Sequence, residues 1–284
     1  MNKPTILAIA GVVLLAVLFL FGKISIPKKD LPKAAMSGAN VAGFDIQHYI
    51  DSATAKLPIA QSLQVKELEN SITRGDVAAQ KIKQLHALAG FWKDSARLFD
   101  PYAYYISEAA KLDNSEKNLT FAAQLFLDNL RGEHDEARLN WQTNTAIELF
   151  EKAIALNPQN DDLRIGLGSC YVFGKGRTGG DASASMKGIQ ELLAVVKKDS
   201  GNMKAQFVLG VGGFVSGQYD KAIERFEKVI KTQPNNVEAI AFLADTYAAK
   251  GDKTNAVKWY SLSKRLINNA EYSKEVDARI EAIK

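Results

Sequence analysis

The residues of this 284-residue chain that could do chemistry include a glycine-rich stretch. Residues 174–179 read GKGRTG and match the pattern GxGxxG. A nucleotide-binding loop of this pattern follows a strand and opens a helix, whereas this stretch follows a segment with helical periodicity. It also lacks the Ser or Thr that follows the lysine of a P-loop. We therefore interpret the glycines as a flexible connector between two helices and predict no bound nucleotide.

Catalytic and metal-binding patterns find little support elsewhere in the chain. The three histidines, His48, His86 and His134, lie far apart and lack metal-ligand spacing. Cys170 is the only cysteine, so neither a cysteine zinc cluster nor an intrachain disulfide can form. It falls on an apolar helical face, which indicates a core residue. The acidic residues that flank His134 are interpreted as a solvated loop. We predict that the protein is not an enzyme and has no cofactor.

The elements that would position any site are helices. Nearly every segment after about residue 75 has helical periodicity, and no run alternates as a strand would, so an all-α fold is predicted. Residue pairs also recur at an interval of 34, because Leu209-Gly210 is followed by Leu243-Ala244 and Phe226 by Tyr260. A sustained period of this size indicates a stack of helix-turn-helix units, each of which buries its apolar face against its neighbours.

The units can be placed along the chain from this period. The clearest unit begins at Met203, the next at Val237, and the preceding one at Asp161 with an insertion between its helices. We predict N-terminal helices in residues 43–82, a solenoid of four to five repeats, two of them with insertions, in residues 83–270, and a capping helix in residues 271–284.

Small and large side chains alternate in these units in a way that packing explains. Small residues such as Gly210 and Ala222 let two helices approach, large residues such as Phe226 fill the space between them, and Pro234 ends the second helix. On these residues the chain resembles the tetratricopeptide repeat proteins, most closely over residues 203–270. The resemblance implies a right-handed superhelix whose concave face, built from the first helix of each unit, binds peptide segments of partner proteins.

The same resemblance implies which side chains face the groove. They are positions two, five, nine and twelve of each first helix, which gives a predicted partner-binding set of Ile165, Ser169, Lys204, Phe207, Val211, Phe214 and Asp245. The apolar members of the Met203 unit are interpreted as a hydrophobic partner site. The alternative is that residues 44–73 or the terminal helix already cover them. The basic set with which some members of the family clamp a terminal carboxylate is absent from these positions, apart from Lys204.

The first 42 residues differ from the rest of the chain. No charged residue occurs from Pro4 to Gly22, a length that can cross a bilayer as a helix. We predict a transmembrane anchor in residues 1–22 and a linker in residues 23–42, and place the protein in the cell inner membrane as a single-pass protein. The sequence leaves open which side of the membrane carries the soluble domain. Lysines after the span favour a cytoplasmic domain, whereas a short N-terminal tail before a single anchor often leaves the domain exported.

The distribution of charge also limits the function. The net charge of +4 comes from residues 1–40, which leaves 31 basic and 31 acidic residues in the remainder. A neutral domain does not favour nucleic-acid binding. The sequence predicts a non-enzymatic, membrane-tethered scaffold that binds a partner protein or peptide in its groove. The alternative is an envelope assembly, maturation or chaperone-like factor that acts on many substrates, because cytochrome-c maturation factors and translocon-associated subunits of bacteria share this layout.

Overall fold

The computed structural model describes residues 43–74, 77–177 and 182–283. Within these ranges the chain forms thirteen α-helices and no β-strand, which confirms the predicted all-α class. No helix of these ranges combines the length and the apolar character that a membrane crossing needs. The predicted anchor and linker, residues 1–42, lie outside the described residues, as do residues 178–181 of the insertion.

The helices follow one another with short turns. They are α1 (Ile46–Ala55), α2 (Ile59–Arg74), α3 (Ala78–Gly90), α4 (Phe99–Asp113), α5 (Glu116–Leu130), α6 (Glu136–Leu156), α7 (Asp161–Cys170), α8 (Ala182–Lys198), α9 (Met203–Val215), α10 (Tyr219–Thr232), α11 (Val237–Lys250), α12 (Lys253–Ile267) and α13 (Ala270–Ile283). The predicted boundary between residues 82 and 83 therefore falls inside α3.

Five helix pairs make up the stack. The pairs are α3 with α4, α5 with α6, α7 with α8, α9 with α10 and α11 with α12, and each pair packs against the next. The first helices α5, α7, α9 and α11 also contact one another in succession. One face of the stack is thus built from first helices, as the repeat pattern predicts.

Glycines at the helix crossings explain how closely the paired helices approach. A Cβ atom on Gly168 would lie 2.5 Å from Leu192 Cγ, and one on Gly210 would lie 2.6 Å from Phe226 Cε1. Real Cβ contacts are longer than this, so only glycine fits without a shift of its neighbour. Phe226 and Leu192 are both fully buried by this close approach.

Side-chain caps fix where three helices of the regular units, α9, α11 and α12, begin. The side chains of Asn202, Asn236 and Asp252 each accept a hydrogen bond of 3.0 Å from the backbone N–H three residues later. Such caps satisfy one of the otherwise unpaired N–H groups of a helix start. At the other end of α11, Gly251 has φ of +86°, a left-handed conformation that ends the helix at low steric cost.

Two first helices continue into a π-helical turn, which the sequence analysis missed. Residues Phe91–Ser95 extend α3 and residues Tyr171–Lys175 extend α7. The second π turn packs tightly on α6, because a Cβ atom on Gly174 would overlap the side chain of Thr143. Cys170, directly before this turn, is fully buried, as the sequence predicted for a core residue.

Specific side-chain contacts hold both ends of the described stack in place. At the start, the ring of Phe44 lies 5.2 Å from that of Trp141 on α6, and the Arg138 guanidinium lies over the same Phe44 ring. At the other end α13 packs on α12 through the buried Val276, and Arg279 donates a hydrogen bond of 2.9 Å to Asp245. The last regular unit is therefore not left open to solvent.

Candidate functional site

A cleft of about 550 Å³ lies on the face formed by the first helices. Its floor is apolar and comes from Leu127, Phe150, Ile165 and Phe173. Its polar and charged lining comes from Thr120, Gln124, Asp128, Arg131, Asp162, Ser169 and Lys204. Because α5, α7 and α9 each contribute, the cleft crosses three successive units.

Three residues of the predicted partner-binding set meet in this cleft. Ile165 and Ser169 come from α7, and Lys204 comes from the start of α9. Ile165 is 7% exposed and Ser169 is 5% exposed, so each presents only an edge to the cleft. The Ser169 hydroxyl donates to the Ile165 carbonyl at 2.8 Å, which is a local helix contact.

Of the three apolar residues predicted in the groove of the Met203 unit, two are buried in the stack and one is partly exposed. Phe207 is 9% exposed and Val211 is 2% exposed, while Phe214 is half-buried. The Phe242 ring of α11 covers this group, with its centroid 5.7 Å from that of Phe207 and 6.1 Å from that of Phe214. These residues therefore do not form an open hydrophobic patch. The covering residue comes from the next first helix, rather than from residues 44–73 or α13.

Asp245, the last predicted groove residue, is engaged by neighbouring helices. Its carboxylate accepts hydrogen bonds from the Tyr260 hydroxyl and from Arg279 of α13. Burial and the hydrogen bond to Asp245 both raise the pKa of the Tyr260 hydroxyl, so that hydroxyl stays a donor. Asp245 thus takes part in the contact that covers the last unit.

The second residue of each of three first helices forms an ion pair. On α7 and α9, Asp162 and Lys204 pair at 3.0 Å. On α11, Glu238 pairs with Arg131, which stands directly after α5. The Arg131 guanidinium also lies over the Phe173 ring, 4.2 Å from its centroid. Charged side chains therefore surround the apolar floor of the cleft.

In the described part of the glycine-rich stretch, the Arg177 side chain binds the C-terminal end of α5. Arg177 donates to the carbonyl of Leu130 and, at 2.9 Å, to the carbonyl of Glu133. The last carbonyl groups of a helix lack partners within the helix, and Arg177 satisfies that of Leu130, the last residue of α5. This basic side chain is therefore committed to the protein backbone, in keeping with a connector rather than a phosphate loop.

A buried polar network links α4 to α6 beside the cleft. Gln142 donates to Asp100 at 2.9 Å and accepts from Asn129 at 3.0 Å, and Arg138 lies 3.6 Å from Asp100. Burial raises the pKa of the Asp100 carboxyl, and the Gln142 hydrogen bond and the Arg138 charge oppose that shift. The network has a structural role, because it supplies hydrogen-bond partners to the carboxyl group of Asp100, a residue that is only 5% exposed.

The acidic run around His134 also serves the local fold. Asp135 caps α6 by accepting from the Arg138 backbone N–H, and Glu133 accepts from the N–H groups of the next two residues. Across the described ranges, no three His, Cys, Asp or Glu side chains are grouped to hold a metal ion. Burial raises the pKa of the Cys170 thiol, which keeps the reactive thiolate form unpopulated.

A second cleft, of about 730 Å³, lies among the N-terminal helices. It is lined by Glu69 of α2, Leu85 of α3 and, on α4, Tyr105 and Lys111 among others. The Tyr105 hydroxyl donates to Glu69 at 2.7 Å, and burial and that carboxylate both raise the pKa of Tyr105. Sequence reasoning missed this cleft, because its walls come from helices outside the regular repeats.

The comparisons with known proteins agree with this architecture. Residues 216–274 match the family model described as tetratricopeptide repeat. This stretch carries a tetratricopeptide repeat. The matched family is a repeat family rather than an enzyme family. A comparison with curated protein sequences gave no match.

Solved structures of repeat proteins are similar to this chain. A thermophilic TPR protein of Thermus thermophilus is 16% identical, with 71% of this chain and 98% of that chain covered and a TM-score of 0.51. A MamA protein is 20% identical, with coverages of 66% and 92% and a TM-score of 0.46. YrrB, described as a TPR protein with an unusual peptide-binding site, is 18% identical, with coverages of 74% and 97% and a TM-score of 0.45. At such identities the first of these structures shows the fold alone.

Proposed function

We propose that this protein is a non-enzymatic scaffold that binds a peptide segment of a partner protein in the cleft formed by α5, α7 and α9. The observation that carries the proposal is the cleft itself. It collects Ile165, Ser169 and Lys204, three residues that the repeat pattern assigns to the groove.

The lining of the cleft suits a peptide better than a small polar molecule. The edges of Leu127, Ile165 and Phe173, which are 7–8% exposed, give the cleft an apolar floor, and Thr120 and Gln124 offer hydrogen-bonding groups beside it. A volume of about 550 Å³ accommodates a few side chains. Peptides that lie in a groove of helices are recognised in this way, by apolar anchors with polar contacts beside them.

The N-terminal segment supports a tethered form of this scaffold. Residues 4–22 hold no charged residue, and lysines follow at Lys23, Lys28 and Lys29. We propose that this segment holds the protein in the cell inner membrane with a single span. Tethering would raise the effective concentration of the cleft for partners at the same membrane without any new contact.

Site-specific photocrosslinking in cells tests the proposal. A photoreactive phenylalanine analogue replaces Gln124, which is exposed and lines the cleft, and in a control chain replaces Lys228, which is exposed on the second helix α10. We expect a discrete protein adduct from position 124 and none of the same mass from position 228. Membrane fractionation of the adduct tests the tether.

A second substitution links the adduct to the cleft. Lys204→Glu removes the ion pair with Asp162 and places two like charges beside each other, so it should abolish the adduct. The matched change Lys228→Glu should leave it intact. If the adduct persists in Lys204→Glu, or if position 228 gives the same adduct, the cleft is not the binding site. A series of many adducts would instead favour the factor that acts on many substrates.

A further inference from the structure

An ion pair joins distant units beside the cleft. Arg131, directly after α5, pairs with Glu238, the second residue of α11, across a sequence separation of 107 residues. The first helices α7 and α9 come between these two helices in the stack. The side chains of Arg131 and Glu238 are 48% and 46% exposed, so solvent and other solutes reach both.

Arg131 is held in a geometry that suits a carboxylate. It lines the cleft, and its guanidinium lies over the ring of Phe173 at 4.2 Å from the centroid. Stacking on an aromatic ring fixes the plane of the guanidinium and leaves its N–H edge for a planar, two-oxygen acceptor. In this structure the Oε1 oxygen of Glu238 accepts there, from one guanidinium nitrogen of Arg131.

The other cation of the cleft has a local partner. Lys204 pairs with Asp162 on the adjacent first helix, at 3.0 Å. The Arg131 pair is different, because its carboxylate comes from a unit beyond those that line the cleft. Replacing that carboxylate by another would therefore leave the floor and the walls of the cleft unchanged.

We propose that Arg131 determines the specificity of the cleft, that Glu238 occupies Arg131 in the free protein as an internal competitor, and that a partner peptide binds by placing a carboxylate on Arg131 in place of Glu238. This inference rests on the proposed function and names the chemistry of its partner. The carboxylate belongs to an acidic side chain of the peptide, the same kind of group as the Glu238 carboxylate that it replaces. The exchange is feasible because half-exposed ion pairs stabilise a structure only weakly.

Selection from displayed peptide libraries tests the inference on the full-length chain in detergent. One library is fused through its C-terminus, so it offers only side-chain carboxylates, and the other is fused through its N-terminus and offers a free terminal carboxylate. Each is selected on the wild-type protein and on Glu238→Gln. Fluorescence polarisation then measures the affinity of each enriched peptide for wild type, Glu238→Gln, Arg131→Gln and, as a control, Lys228→Gln.

We expect the first library to yield peptides that carry an acidic side chain, whereas enrichment in the second library alone would show a terminal carboxylate and overturn this assignment. Loss of the competitor in Glu238→Gln should raise affinity about two- to fivefold, the factor that corresponds to an exposed ion pair. Arg131→Gln should lower affinity about five- to tenfold, and Lys228→Gln should leave it unchanged.

The outcomes separate the inference from the proposed function. Peptides that bind without a carboxylate, or that bind Arg131→Gln as tightly as wild type, would overturn the inference and leave the scaffold in place. Failure of both libraries to yield any peptide, on wild type and on Glu238→Gln alike, would overturn both.

Discussion

Gly166 of α7 shows how one missing side chain sets the spacing between two units. A Cβ atom there would overlap the ring of Phe150, which is buried in α6. Two effects oppose each other on substitution. Alanine favours a helix by about 1 kcal/mol over glycine, whereas overpacking a core costs about 1–3 kcal/mol. Because the Cβ atom would lie 2.4 Å from a Phe150 ring that is only 1% exposed, the overpacking cost decides the sign.

We therefore expect Gly166→Ala to lower the free energy of unfolding by about 0.5–2 kcal/mol. The matched control is Gly90→Ala at the end of α3, where a Cβ atom would meet nothing within 4 Å and the backbone is right-handed helical. That change should stabilise the protein by about 0.5–1 kcal/mol. Urea denaturation measures both, and a stable Gly166→Ala protein would contradict the packing argument.

Asp100 gives a dependence on pH whose sign follows from its burial. Because burial raises its pKa in the folded protein above the ordinary 3.8, the folded state binds the proton more tightly than the unfolded state. As the pH rises from 3.8 through the raised pKa, this carboxyl therefore reduces stability. Asp100→Asn cannot titrate, so the stability of this variant relative to wild type should increase over that interval.

Asp113→Asn is the control with the opposite sign. Hydrogen bonds from Ser115 and Asn118 lower the pKa of Asp113, so its carboxylate stabilises the fold above pH 3.8 and loses that effect as the pH falls. The variant should therefore lose stability relative to wild type as the pH rises through the lowered pKa. Urea denaturation from about pH 3 to 7.5 measures both differences. A flat difference for Asp100→Asn would mean that its carboxyl does not titrate abnormally.

At the scale of elements, α13 acts as the cover of the last unit. It buries Val276 against α12, and its Arg279 reaches Asp245 of α11. In a stack of repeats each unit is stabilised mainly by its neighbours. Loss of α13 should therefore destabilise mainly the unit next to it. The burial of Val276 alone contributes about 1.5–3 kcal/mol.

A chain that ends at Asn269 should therefore show faster hydrogen exchange in α11 and α12, with exchange in α5 and α6 unchanged. Arg279→Gln is the matched control, because it removes the ion pair and keeps the apolar contact. We expect it to change exchange much less than the truncation does. Equal acceleration along the whole stack would show that the units unfold together rather than from the end.

The positions of the helices could be predicted because their signals are local. The interval of 34 residues, the small residue at Gly210 and the turn at Pro234 fix a unit from nearby sequence alone. The π turn after Cys170 has no such signal, because it depends on how closely Gly174 approaches Thr143 of another helix.

The candidate site was predicted only where one helix determines it. Ile165 and Ser169 were assigned to the groove by counting along α7 as the resemblance to the repeat implies, and each presents an edge to the cleft. Phe207 obeys the same count but is covered, because the Phe242 ring of the next unit lies over it. Arg131 was missed because it stands beyond the end of α5, and its contacts with Phe173 and Glu238 join units that are distant in sequence.

At the scale of the whole molecule, the entry of the chain has a mechanical consequence. Phe44 precedes α1, which contacts α4, yet the ring of Phe44 lies against Trp141 and beneath the guanidinium of Arg138, both on α6. The start of the described chain is therefore joined to two successive helix pairs, α3–α4 and α5–α6. A pull on the backbone at Phe44 would load both pairs, and the second of them forms one wall of the cleft.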